Sequence, residues 1–432
     1  MPNLPLTLSD WLVLLEARHS ETQIDLGLER VRVVKERMAL QFVCPVIMVA
    51  GTNGKGSTCA MLESILLRAG YKVGLYSKPH FLDFNERARV AGEQVADAAL
   101  VASFKAVEAV RGDTPLTYFE FTTLAIMHLL AAAGPDVVIL EVGLGGRLDA
   151  VNVIDADVAI VTSIDIDHTA YLGSSREQIG FEKAGIFRSG KPAICSDPVP
   201  PRSLVAHAEA IGADLWLLGR DFNYSGDKQQ WNYGGRGQRR NALAYPSLRG
   251  ANQILNAAAA LAALEALKLA LPVGAQEVRF GLVMVDLPGR FQVLPGRPSV
   301  VLDVAHNPHA ACALSQNLGN MGFHPYTYAV FGCMQDKDID GVMAAMSEHV
   351  DHWCMTNLAS ARAASGAVLA AKAQLILAKM SDAAEHTVAI FADPAQAFAN
   401  AMSRAGENDR IVVFGSFLTV AGVMAARKSS LH

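Results

Sequence analysis

The stretch VAGTNGKGST, Val49 to Thr58, follows a wholly apolar run and opens a segment with helical spacing, Ser57–Ala69. A loop between a buried strand and a helix aims several backbone N–H groups at one point, and the helix N-terminus adds partial positive charge there. Glycines let the backbone come close to an anion. Gly51, Gly54 and Gly56 serve that need, Lys55 supplies a point charge, and Ser57 or Thr58 supplies a hydroxyl. The loop departs from the general G-x-x-x-x-G-K-[ST] pattern. Val49 stands where the first glycine belongs, and Gly56 separates the lysine from the hydroxyl. A glycine-rich turn that binds nothing is the alternative, and the ordered succession of strand, loop, lysine and helix argues against it.

Outward from this loop, apolar runs of strand length alternate with helical patterns. VIMVAG (46–51), KVGLYS (72–77), DVVILEV (136–142), DVAIVTSI (157–164) and PAICSD (192–197) read as buried parallel strands, with a further helix over Phe119–Ala133. The alternation predicts an α/β fold built on a doubly wound parallel sheet of P-loop ATPase type. Residues 213–250, with glycine and Asn/Asp turn signals between short aromatic pieces, predict a small antiparallel sheet, and a long helix is expected over Asn252–Ala270. The segment 287–298, LPGRFQVLPGRP, carries three prolines and two glycines and reads as a connection. The expected division is 1–287, a linker at 288–298, and a smaller Rossmann-like α/β domain over 299–432.

Apolar residues make up 51% of the 432-residue chain, enough for two cores, and the formal charge of -5 is mild. Neither a nucleic-acid nor a membrane footprint is expected from it. The first residues have no basic region before the apolar ones, and no apolar run reaches the ~18 residues of a membrane span. Six cysteines at 44, 59, 195, 312, 333 and 354 show no metal-ligand spacing and read as reduced core thiols of a cytoplasmic protein.

The departures in the loop carry a resemblance. G-T-N-G-K-G-[ST] resembles the loop of the ATP-dependent Mur ligase superfamily, in the branch of the bifunctional dihydrofolate/folylpolyglutamate synthases. The likeness continues through HSETQIDLGLERV, ERARV, LTYFEF, EVGLGGRLDAVN, TSIDIDHTAYLG, EKAGIFR, PGRFQ, DVAHNPHA and GSFLTV, in order. It implies an ADP-forming ligase that joins L-glutamate to dihydropteroate and then to reduced folates through an acyl phosphate. ATP contacts are implied at Thr52, Asn53, Gly54, Lys55, Gly56, Ser57, Asn256, Arg290 and Asp303. The pterin pocket is implied at Ile24, Asp25, Leu26, Thr117, Tyr118, Phe119, Glu120, Leu148, Asp149 and Ala150. Lys55, Lys183 and His306 are implied as catalytic, with Lys183 matching a lysine that carries a carbamate, and Ser416 lies near the glutamate end.

The resemblance also implies Mg²⁺ at Glu141 and His168, with a second divalent ion beside a carbamylated Lys183. Imidazole is unusual for a hard ion, so Mn²⁺ stays open. Many relatives have a metal-binding serine directly before the proline of YSKPHF; Lys78 occupies that place and Ser77 precedes it. The ammonium then either reaches the phosphates or turns away and leaves the ion to Ser77 or water. Leu418 likewise replaces a histidine of relatives. The expected partners are ATP, L-glutamate, dihydropteroate and reduced folates, with no nucleic acid, no membrane and a monomeric chain. Polyglutamylation alone, a cell-wall Mur ligase, and a non-catalytic nucleotide-binding regulator are the competing readings.

Overall fold

The structure, a computed structural model, describes residues 4–20, 25–227, 229–250, 252–378 and 386–429. They form two compact units, one of residues 1–247 with 254–285 and one of 248–253 with 286–432.

The first unit is built on an eight-stranded sheet. Its strands are β1 (Val46–Ala50), β2 (Val73–Tyr76), β3 (Ala88–Val90), β4 (Glu93–Gln94), β5 (Val137–Glu141), β6 (Val158–Val161), β7 (Pro192–Cys195) and β8 (Asp214–Leu217), in spatial order β4-β3-β2-β5-β1-β6-β7-β8. The six strands from β2 to β8 in that order are parallel, and β3 and β4 add an antiparallel edge. β1 is buried at every residue, as a strand covered on both faces by helices must be. The helices are α1 (Leu8–Arg18), α2 (Glu29–Arg37), α3 (Lys55–Arg68), α4 (Asp97–Arg111), α5 (Tyr118–Ala132), α6 (Thr169–Leu172), α7 (Arg176–Ala184), α8 (Arg202–Ile211), α9 (Asn252–Ala266) and α10 (Ala275–Met284). α3 starts two residues before the expected point, so Lys55 already lies in its first turn, and α9 ends four residues short of Ala270, ahead of Pro272.

One expectation is corrected at its start. Asp214–Leu217 does not belong to the small antiparallel sheet. Gly212 ends α8 in a left-handed conformation, and the chain returns to pair with β7 in parallel, Pro192 opposite Asp214 and Cys195 opposite Leu217. That is a helical crossover, which periodicity alone does not distinguish from a hairpin. The antiparallel meander itself comprises β9 (Asn223–Gly226), β10 (Trp231–Gly234) and β11 (Arg239–Leu243).

Beside β2, the core gathers aromatic rings. Trp11 of α1 is fully buried, edge-on to Phe104 of α4 and stacked on Phe121 of α5. The start of α5 is set by a reciprocal cap: Thr117 Oγ1 accepts from Glu120 N (3.1 Å), and Glu120 accepts from Thr117 N (2.8 Å). Thr117→Ala is expected to cost about 1 kcal/mol, read as a lower urea midpoint at unchanged slope. An unchanged midpoint contradicts the capping role.

The second unit has a six-stranded sheet ordered β12-β13-β17-β14-β15-β16, from β12 (Gln292–Leu294), β13 (Ser299–Leu302), β14 (Thr327–Phe331), β15 (His352–Thr356), β16 (Thr387–Phe391) and β17 (Arg410–Phe414). β12 pairs antiparallel with β13, and the others run parallel. Thus part of the 288–298 segment is edge strand. The unit's own core packs Phe331, Trp353 and Phe414 together.

Candidate active site

Three adjacent strands, β2, β5 and β1, end side by side in the first unit, and β6 follows on the far side of β1. Ligands of open parallel sheets sit outside such carboxyl ends. Val49 lies in register with Glu141, so the loop after β1 and the carboxylate at the end of β5 leave the sheet together.

The loop is gripped by residues after β6. Thr52 N donates to Ser163 O (2.7 Å), Thr52 Oγ1 exchanges hydrogen bonds with the Asp165 backbone (3.0 Å), and Thr162 Oγ1 donates to Asn53 O (2.6 Å). Two glycines are required by this geometry. Gly51 lies so close to Thr162 that a Cβ would overlap its hydroxyl, and Gly54, at φ +88°, would place a Cβ 2.4 Å from Asn256 Oδ1. The N-terminal N–H groups of α3 have no intrahelical acceptors and point out of this loop. Lys55 Nζ donates to Gly51 O (2.9 Å) and Thr52 O (3.2 Å), which folds the ammonium over the loop it serves. Ser57 is buried, and the buried Thr58 Oγ1 has no hydrogen-bond partner among the described residues.

Around the loop stand the other implied residues of this unit. Glu141, 3% exposed, accepts from the backbone N of Lys78 (3.0 Å). Lys183 on α7 is 3% exposed; burial, then the neighbouring Lys55, pull its amine down to about 7 against the opposing charge of Asp167. His168 adopts a left-handed backbone, φ 52°, uncommon for a residue other than glycine, and Asp167 caps its N–H (2.8 Å). Ser77 N is tied to Arg87 O (3.0 Å).

A second group assembles beyond the carboxyl ends of β2 and β5. Asp149 Oδ2 accepts from the N–H groups of Gly143 and Leu144, and Oδ1 from Val151 N, which clamps the loop holding Leu148 and Ala150. Phe119, in the first turn of α5, faces Lys78 Nζ at 4.4 Å from its ring centroid. Arg30 of α2 bridges Asp25 (2.8 Å) and the buried Glu120 (2.9 Å). Leu26 is half-buried and Tyr118 buried. Ile24 lies outside the described residues.

The second unit brings its own set together. Asp303 accepts from Phe291 N and Ala305 N (both 2.8 Å), and burial raises its carboxyl against the pull of Arg290. Arg290 lies over the Phe417 ring at 5.1 Å, and the His306 ring is 6.5 Å from the same ring. Ser416 Oγ accepts from Thr419 N (3.0 Å), capping the last helix.

Family models for the Mur ligase middle domain match residues 49–264, and for the Mur ligase glutamate ligase domain residues 289–417. The dihydrofolate synthase/folylpolyglutamate synthase of Escherichia coli K12 is 46% identical over 418 residues, 96% of this chain and 94% of that protein. The chain belongs to the dihydrofolate synthase/folylpolyglutamate synthase family of Mur ligases. Solved members share the fold over their whole length. E. coli FolC in complex with DHPP and ADP superposes at TM-score 0.93, with 44% identity and all of both chains covered. A family member with Mn, AMPPNP and L-glutamate bound superposes at 0.89, with 43% identity and 99% of each chain covered. No helix among the described residues is long and apolar enough to cross a membrane.

The residues fit the ligands of these synthases. The glycine cradle, Lys55 and the orphaned Thr58 hydroxyl suit a polyphosphate. No group of three or more His, Cys, Asp or Glu among the described residues is placed to hold a metal ion alone. The buried Glu141 carboxylate suits an ion of Mg²⁺ or Mn²⁺ type, which takes one or two protein ligands and completes its shell with phosphate oxygens and water. Two features were absent from the reading by sequence. Thr162 and Ser163 could have been noticed as hydroxyls at the end of a strand. The Arg30–Glu120 pair, 90 residues apart, left no local signal.

Proposed function

We propose that this chain uses ATP to join L-glutamate to dihydropteroate and to reduced folates, as a cytoplasmic monomer. The pairing of Val49 with Glu141 supports this most directly, because it puts the phosphate loop and a buried carboxylate at one edge of the sheet. The ring-side group of Phe119 and Asp149, reached from the end of the neighbouring β2, supports the choice of acceptor.

A carboxylate is a poor electrophile until its oxygen is phosphorylated. Thr52 to Ser57 hold the triphosphate, and Lys55 faces the charge that develops as the γ-phosphoryl group moves to the acceptor acid. A divalent ion held by Glu141, with His168 or Ser77, would neutralise phosphate charge. Asn256 stands behind Gly54 and orders the nucleotide loop. The amine of L-glutamate attacks the acyl phosphate, the amide forms, and phosphate leaves. Lys183, as amine or carbamate, shapes the charge beside Lys55. Arg290, Asp303, His306 and Ser416 keep the nucleotide and glutamate roles that the resemblance implies. Asp25, Leu26, Thr117 to Glu120 and Leu148 to Ala150 form the acceptor pocket.

Phosphate release tests this reading. Release that requires ATP, dihydropteroate and L-glutamate together is expected. Release with tetrahydrofolate but never with dihydropteroate restricts the activity to polyglutamylation, and nucleotide binding without release contradicts a ligase.

A further inference from the structure

Lys78 presents its two ends to different neighbours. The backbone N–H donates to Glu141, on the phosphate side. The side chain runs the other way, with Nζ 4.4 Å from the ring centroids of both Tyr76 and Phe119 and 4.0 Å from Asp149 Oδ1. The Lys78 side chain is 9% exposed and that of Asp149 2%. Nζ has no hydrogen-bond partner among the described residues. Ring faces attract a cation, but they leave the three N–H donors of an ammonium unmatched, and an unmatched buried donor is costly. A group that supplies an acceptor removes that cost.

Gly143 packs against these groups as bare backbone. A Cβ there would stand 3.0 Å from Phe119 Cζ, 3.1 Å from Asp149 Oδ2 and 3.3 Å from Lys78 Nζ. Bare backbone is therefore ringed by an aromatic edge, an acceptor and a donor. Among the described residues Asp149 Oδ1 accepts one backbone N–H, which leaves a lone pair for a ligand. A flat heteroaromatic ring with a carbonyl beside an N–H meets this donor and acceptor together.

We propose that Lys78 is a specificity-determining contact for the acceptor ring: Nζ donates to the 4-oxo oxygen of the pterin, while Asp149 accepts from the neighbouring ring N–H or amino group. The inference rests on the reading of the acceptor as a pterin-bearing acid. It departs from a role for Lys78 on the phosphates, since the ammonium lies among Tyr76, Phe119 and Asp149.

The test compares two probes on the full chain by calorimetric titration: free pterin, and 2,4-diaminopteridine, in which an amino donor replaces the carbonyl. Wild type is expected to prefer pterin by about tenfold or more, the effect of one hydrogen bond from a charged donor. Lys78→Met should bind the two within about twofold, by losing affinity for pterin alone, with nucleotide affinity unchanged. Lys78→Arg keeps N–H donors and should hold a preference of about fivefold, which keeps the test decisive if the methionine variant does not fold. Equal weakening of both probes, no change in either, or weakened nucleotide binding overturns the proposal. Phosphate release by wild type with dihydropteroate separates that failure from failure of the ligase reading: release without ring discrimination removes only the role of Lys78.

Discussion

Lys55→Ala is expected to lose at least nine-tenths of turnover, and on the order of a hundredfold or more, while remaining folded. The ammonium sits over the loop, bound to the carbonyls of Gly51 and Thr52. The loop's own shape depends on other bonds, those of Thr52 and Asn53 to Thr162, Ser163 and Asp165. Removing the amine therefore subtracts charge from the transferring phosphoryl group and leaves the cradle standing. A contact made in the transition state is worth about 3 kcal/mol, and each 1.4 kcal/mol is tenfold in rate. Steady-state phosphate release and the thermal midpoint check both halves. Retention of more than about a tenth of the activity contradicts the phosphate role.

Lys183→Met should separate activity from stability. The amine is buried with its pKa pulled down to about 7, first by burial and then by Lys55. In the unfolded chain a lysine holds its proton up to the ordinary range near 10.5. Between these values the unfolded state binds more protons, so stability rises with pH. Below about 7 both states are protonated, and the full cost of burying the charge is present. Methionine removes that cost. In carbon-dioxide-depleted buffer the variant is expected to melt above wild type at pH 6.5, with the gap closing toward pH 10.5. Turnover should nevertheless fall tenfold or more, as expected where a strained charged group serves catalysis. A neutral amine is also what attacks carbon dioxide, losing a proton to form a carbamate, so with ¹³C-bicarbonate present a carbamate resonance should appear in wild type and be missing in the variant. A gap that does not change with pH, or a fully active variant, contradicts the account of this residue.

The loop and its strand were legible because local chemistry decides them. VIMVA is apolar at every position, as only a strand buried on both faces tolerates, and three glycines with a lysine at the head of a helix have few other uses. The position of Glu141 followed from its place at the end of a strand. What stayed hidden depends on pairing across distance. DLWL looks the same in a hairpin or in the edge of a parallel sheet, and only the turn at Gly212 sends it to β7. Arg30 and Glu120 meet because α2 packs beside α5, which no local pattern records. Lys78 could be recognised as a departure, but not the direction of its side chain: the choice between Glu141 and the rings of Tyr76 and Phe119 is made by packing.

The account depends on phosphate passing to the acceptor acid before glutamate attacks. Dihydropteroate carrying ¹⁸O in its carboxylate, turned over with ATP and L-glutamate, tests this step. One acid oxygen becomes the bridge to phosphorus and leaves with it, so each inorganic phosphate should carry one ¹⁸O atom from the acid. Unlabelled phosphate, released in step with the amide, contradicts an acyl phosphate and with it the roles assigned to Lys55 and Glu141.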